Sequence, residues 1–429
     1  MATSPAVAAA VADAHRREWA FVLAATARVT RDLDLAEECV QDAYARALTV
    51  WGERGIPQRP GAWLTTTARN RALDALRRDA TLRRSLPRLL DRSTDPAADD
   101  PAADDPGAEP SAAGEDFPDD RLRLIFTCCH PALAEEAKVA LTLRLLCGLS
   151  TAEVASAFLV GQPAMAARIT RAKKKIATAR IPYRVPPADE LPERIDAVLT
   201  VVHLLFTTGH TAPAGDELVR RDLVERALDL ARMLRTLLPG DAGVAGLLAL
   251  ILLTDARRET RAADDGRLLL LAEQDRRRWD RAEIAEGLAL VREALRPRPP
   301  GRFALMAAIA AVHAEAPSWQ ATDWHEVVAL YDLLVTIWPS PVVALNRAVA
   351  VGFADGPAAG LAALDGLAAE PQLAGYGYLA AARADFLRRL DRTAEARLAY
   401  EEAVMLTENS VERAFLSSRL RELGSRGPA

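Results

Sequence analysis

Two adjoining stretches, Gly148-Leu149-Ser150-Thr151-Ala152-Glu153-Val154-Ala155 and Gly161-Gln162-Pro163-Ala164-Met165-Ala166-Ala167-Arg168-Ile169-Thr170-Arg171-Ala172-Lys173-Lys174-Lys175-Ile176, decide how the chain reads. Ser150 and Glu153 stand three residues apart, the spacing of a capping box that starts a helix. Val154, Ala155 and Phe158 form its apolar stripe, Gly161 supplies a turn, and Pro163 suits the first turn of a second helix. There Met165, Ile169, Ala172 and Ile176 recur at intervals of 4, 3 and 4 and mark a buried face. Ala164, Arg168, Arg171 and Lys175 recur one position earlier, on the open face. A short helix, a tight turn and a basic second helix is the helix-turn-helix pattern. Small Ala164 and Ala167 let such a backbone approach a major groove while arginine and lysine reach phosphates and base edges. A merely solvated charged helix would carry the same cations. The capping box, the turn and the Lys173-Lys174-Lys175 tail together favour DNA.

The N-terminal block carries a second polar surface. Ala36, Val40, Ala43, Ala47 and Val50 form a buried stripe, leaving Glu38, Gln41, Asp42 and Arg46 outward. That acidic, amide-bearing face would repel DNA and suits a protein partner. A further helix, from Trp63 to Arg78, presents Asn70, Asp74, Arg77 and Arg78 on one polar, cationic face. Asparagine can read a base edge and arginine can hold phosphate. Trp63 is placed either to stack on an unpaired base or to fill a core, and the pattern leaves both open.

Around these blocks the composition sets limits. At roughly 150 residues per domain, 429 residues suggest two to four domains. Hydrophobic residues at 50% and charged residues at 26% are ordinary for a soluble globular protein. No apolar run reaches the roughly 18 residues of a membrane span, and no basic flank precedes the N-terminal alanines as in a secretory signal. The 4 cysteines give no disulfide framework and fit a reducing cytosol, so a cytoplasmic protein without membrane association is expected. The net charge of −5 is segregated. Residues 91–120 hold eleven acids against the single Arg92, whereas 151–180 hold six cations against Glu153. With little to bury, residues 81–118 read as a flexible acidic linker.

Enzyme signatures are missing: no P-loop, GxGxxG, HExxH or GxSxG occurs. Cys128-Cys129-His130 lacks a CxxC partner and reads as small apolar thiols at a helix end. No metal, cofactor or catalytic residue is expected. Strand alternation is nearly absent, so the whole chain is read as all-α. In the last third, Ala344-Leu345…Ala348…Ala350 is followed 34 residues on by Tyr378-Leu379…Ala382…Ala384. Each unit continues through a turn, Asp355-Gly356 and Leu390-Asp391, into a second Ala-rich helix, a period similar to that of tetratricopeptide repeats, with a generic helical array as the alternative.

The residues also resemble a family. Ala36-Glu37-Glu38-Cys39-Val40-Gln41-Asp42-Ala43-Tyr44, Ala62-Trp63-Leu64-Thr65-Thr66-Thr67-Ala68-Arg69-Asn70 and Asp74-Ala75-Leu76-Arg77-Arg78 resemble region 2 of the extracytoplasmic-function sigma factors of bacterial RNA polymerase. The helix-turn-helix resembles their region 4. Ile181-Pro182-Tyr183-Arg184-Val185-Pro186 and Ser340-Pro341-Val342-Val343-Ala344-Leu345-Asn346-Arg347-Ala348 fit the subgroup with a tetratricopeptide-like C-terminal domain. The resemblance implies region 2 at 13–80, the linker at 81–118, region 4 at 119–180 and a regulatory helical array at 181–429. Glu38, Gln41 and Asp42 would then dock core RNA polymerase through its β′ subunit, with the β subunit as further partner. Asn70, Asp74, Arg77 and Arg78, with Trp63 and Arg69 beside them, would face the promoter −10 element. Gln162, Ala164, Arg168, Arg171, Lys173, Lys174 and Lys175 would approach the −35 element. The C-terminal array would receive a protein or small-molecule signal. The competing reading is a helix-turn-helix repressor or adaptor with a protein-interaction array, which needs neither an acidic docking face nor a second nucleic-acid helix.

Overall fold

The computed structural model describes residues 4–90, 120–158, 160–187, 189–212 and 214–425. Most of the expected acidic linker, residues 91–118, therefore lies outside the described residues. The chain is all-α, and the described residues fall into two compact units, Met1–Val198 and Leu199–Ala429.

In the first unit, α1 (Pro5–Thr30), α2 (Leu33–Arg54) and α3 (Pro60–Leu90) pack on one another. Arg31 closes α1 in the left-handed region, at φ 52°, and Asp32 caps α2 by accepting from the amides of Asp34 and Leu35 at 2.8 and 3.0 Å. Ala36, Val40, Ala43 and Ala47 are buried as their spacing predicts, and Val50 is half-buried. Leu64, Ala68 and Ala72, four residues apart, form the core stripe of α3. The helix runs on to Leu90, ten residues into the stretch expected as linker, because the Leu- and Arg-rich 81–90 favour helix.

The second half of this unit holds α4 (Asp120–Cys128), α5 (Glu135–Leu145), α6 (Thr151–Ala157) and α7 (Gln162–Thr178). The capping box forms: the Ser150 amide donates to Glu153 at 2.6 Å, and the Glu153 amide donates to the Ser150 hydroxyl at 3.2 Å. Met165, Ile169, Ala172 and Ile176 are the buried residues of α7. The two compact units divide at 198/199, within α8 (Leu191–His210), eighteen residues beyond the expected boundary at 180/181. Residues 181–198 belong to the first unit because the Tyr183 hydroxyl donates to the Ala24 carbonyl at 2.9 Å and Arg194 donates to the Phe126 carbonyl.

The second unit continues through α9 (Arg221–Leu237), α10 (Ala242–Asp255), α11 (Arg281–Ala294), α12 (Arg302–Glu315), α13 (Trp324–Ile337), α14 (Pro341–Ala354), α15 (Pro357–Asp365), α16 (Gly377–Arg389), α17 (Thr393–Leu406) and α18 (Ser410–Ser425). Val244 to Leu253 are buried without interruption, so α10 is the central helix of its neighbourhood. It approaches α12 at Gly246, where a Cβ would stand 2.8 Å from the Ala304 amide nitrogen. The pairs α14/α15 and α16/α17 form hairpins that turn where the sequence predicts, at Gly356 and Asp391, both at positive φ. Among the described residues no helix is long and apolar enough to cross a membrane.

A two-residue parallel strand pair, Ala214–Gly215 with Glu408–Asn409, joins distant segments of this unit. Asn409 is fully buried and uses its whole amide. It donates to the Ala212 and Glu217 carbonyls at 3.0 and 2.9 Å and accepts from the Val411 and Glu412 amides, capping α18. Asn409→Leu leaves these groups unpaired in the interior and should cost about 2–4 kcal/mol in urea unfolding. An unchanged midpoint would contradict that assignment.

Candidate nucleic-acid interface

The polar face of α3 forms as the spacing requires. With Leu64, Ala68 and Ala72 turned to the core, Arg69, Asn70, Asp74, Arg77 and Arg78 are exposed. Asp74 stands 3.7 Å from Arg77, so the face mixes one carboxylate into its cations. Trp63 is half-buried, its ring edge-on to the buried Trp51 at 5.6 Å. Its position is thus intermediate between the core and open readings.

On α2, Glu38, Gln41 and Asp42 are exposed, but two of them have partners. Gln41 donates to Glu37 at 3.3 Å, and Arg71 of α3 donates to Asp42 at 2.9 Å. The acidic face is therefore coupled to the base of the cationic one. Arg71 was not among the expected site residues, and no local spacing ties it to Asp42.

On α7, Gln162, Ala164, Arg171, Lys174 and Lys175 are exposed and Arg168 is half-buried. Lys173, between them in the lysine tail, is placed differently. Its ammonium lies 2.7 Å from Asp34 and 2.7 Å from Glu37, and only 10% of its side chain is accessible. Burial pulls its pKa down, yet Glu37 and Asp34 more than offset this and hold it above the ordinary lysine value. In this structure Lys173, expected with the others at the −35 element, is an internal ion-pair partner.

The cause is Glu37. It falls on the 33, 37, 40, 44, 47, 51 series of α2, an inward register in which every member is buried. A carboxylate there requires a cation, and it has two, for Arg144 of α5 also forms a salt bridge with it. Beside this cluster the Trp19 indole donates to the Leu145 carbonyl at 3.0 Å. Gly148, at φ 70°, lies so close to the His15 and Trp19 rings that a Cβ would meet them at 2.9 and 3.0 Å. Glycine is thus required both by conformation and by space, and the two helical blocks of this unit pack directly on each other.

Cys128 ends α4 and Cys129 follows it, both fully buried. Burial pushes both thiols up, Cys129 to about 11. Among the described residues no group of three or more His, Cys, Asp or Glu side chains is arranged to hold a metal.

Comparison with known proteins follows the same division. Residues 15–81 match Sigma-70 region 2, residues 123–176 match Sigma-70 region 4, and residues 194–295 match a family of unknown function, DUF6596. An uncharacterized protein of Rhizobium meliloti (strain 1021) is 41% identical over 403 residues, covering 94% of this chain and 93% of its own length. No solved structure gives a significant match.

The pairing at Glu37 orders the effects of substitution. Lys173→Gln leaves Glu37 with Arg144 and should cost about 1–3 kcal/mol, whereas Glu37→Gln strands two cations and should cost about 3–5 kcal/mol. Chemical unfolding of the full chain checks this; equal losses would mean that Arg144 and Lys173 do not share the carboxylate.

Proposed function

The chain belongs to one family with the Rhizobium meliloti protein and carries Sigma-70 region 2 and region 4 domains, which support a sigma factor for promoter recognition; on that premise we propose the finer assignment that follows. The protein is an extracytoplasmic-function sigma factor, cytoplasmic, that recruits core RNA polymerase to promoter DNA and performs no covalent chemistry. The observation that carries this reading is the order of the two regions, each with an exposed polar face on one helix: 69–78 on α3 and 162–175 on α7.

In this reading Glu38, Gln41 and Asp42 dock the β′ subunit. Asn70, Asp74, Arg77 and Arg78 grip the −10 element, with Trp63 and Arg69 at the margin. Gln162, Ala164, Arg168, Arg171, Lys174 and Lys175 approach the −35 element. Melting draws on binding energy placed on unpaired bases, so no nucleotide hydrolysis is needed. Lys173 reaches phosphate only after it leaves Asp34 and Glu37, which makes that ion pair a competitor of DNA. The C-terminal unit is a tetratricopeptide-like array that regulates the sigma module, consistent with its successive helical hairpins.

Transcription from genomic templates with purified core polymerase tests the assignment. Promoter-dependent transcripts are expected. Gln41→Ala with Asp42→Ala should abolish core binding, and Arg77→Ala with Arg78→Ala should cut open-complex yield while core binding persists. DNA binding without any promoter-dependent transcript would favour the repressor reading. Removal of residues 199–429 should change transcript yield; an unchanged yield and signal response would remove the regulatory role.

A further inference from the structure

The C-terminal unit contains a cavity of about 890 Å³, lined mainly by α13, α14, α16 and α18. That volume is within the range of small-molecule sites, roughly 300–1,000 Å³. One wall is aromatic. Trp324 and Phe353 stack with ring centres 4.7 Å apart, and Trp319 stands edge-on to them at 4.8 and 5.0 Å.

The charged groups along the lining are not equivalent. Arg388 pairs with Asp385 at 2.5 Å, and Arg419 pairs with Glu422 and Glu273 at 3.1 and 3.7 Å. Glu412 accepts the Tyr378 hydroxyl at 2.7 Å. Arg389 differs. Its guanidinium carbon lies over the Phe353 and Phe386 rings, at 4.9 and 5.6 Å, and among the described residues no carboxylate pairs with it. Its Nη1 is buried with no hydrogen-bond partner. Rings offset only part of the cost of desolvating a cation, so a half-buried guanidinium held this way is poised for an anion. Of the carboxylates along the lining, Asp385 pairs with Arg388 and Glu412 holds the Tyr378 hydroxyl, while Glu408 borders the space at its exposed edge.

We propose that this cavity binds a small organic anion with a flat apolar body, its carboxylate or sulfonate on Arg389 and its rings against Trp324 and Phe353. Asn346 lies on the same stripe of α14 as Phe353, seven residues earlier, and borders the same space. The site stands on the residues of this unit alone; only its use as the regulatory signal rests on the sigma-factor reading. A binding assay without polymerase therefore fails or succeeds independently of that reading.

The test is fluorescence titration of the full-length protein with 1-anilinonaphthalene-8-sulfonate and with the neutral N-phenyl-1-naphthylamine. The sulfonate should bind saturably at one site per chain. Arg389→Gln should weaken it about tenfold, the scale of one charge-assisted contact, and leave the neutral dye unchanged. Arg389→Lys should keep most of the affinity. Asn346→Trp introduces an indole at an exposed position bordering the cavity and should weaken both dyes. Unsaturable binding, equal shifts of both dyes in Arg389→Gln, or undiminished binding in Asn346→Trp each overturns the proposal. If Arg389→Gln does not fold, stoichiometry and Asn346→Trp still decide.

Discussion

A carboxylate buried in the face of a helix must be met by a cation, because desolvating it unpaired costs several kcal/mol. Glu37 imposes that condition on the first unit. It sits in the inward register of α2 and takes Arg144 from α5 and Lys173 from α7. Helices on opposite sides of the 91–119 stretch are thereby drawn together, and the Trp19 indole and the ring-capped Gly148 seal the same contact. The apolar area around the cluster supplies the stabilisation; the ion pairs set which surfaces meet. The same contact determines which cations of α7 are open and which is internal.

The polar faces on α3 and α7 follow from their cores. Each helix commits one stripe to packing, so its opposite side must be polar, and here that side is rich in arginine and lysine. What distinguishes the two is partnership. Arg71 and Arg77 have carboxylates nearby, whereas on α7, among the described residues, the cation paired with acids is Lys173, which points inward.

The second unit is built on close approach. Gly352 and Gly360 let α14 and α15 come near enough for the Phe386 ring to fill the space, where a Cβ on Gly352 would collide with that ring. Phe386 so placed, with Phe353 beside it, carries the Arg389 guanidinium at the cavity wall. Among the described residues, the cation of the lining that has no carboxylate partner is the one these rings carry.

Local repeats in the chain were enough to establish an all-α protein, the stripes of α2, α3 and α7, the Ser150–Glu153 box and the hairpin turns at Gly356 and Asp391. Each depends on residues within a few positions of one another, where periodicity and capping chemistry act directly. The extension of α3 to Leu90, the unit boundary at 198/199, the Asp42–Arg71 pair and the inward turn of Lys173 were settled only in three dimensions. Glu37 shows the division most clearly. The stripe read from the sequence, 36, 40, 43, 47 and 50, passes beside it without including it, and periodicity says nothing about which distant cation will answer a buried carboxylate. That choice belongs to the tertiary structure, because a desolvated charge is satisfied by proximity in space and not along the chain.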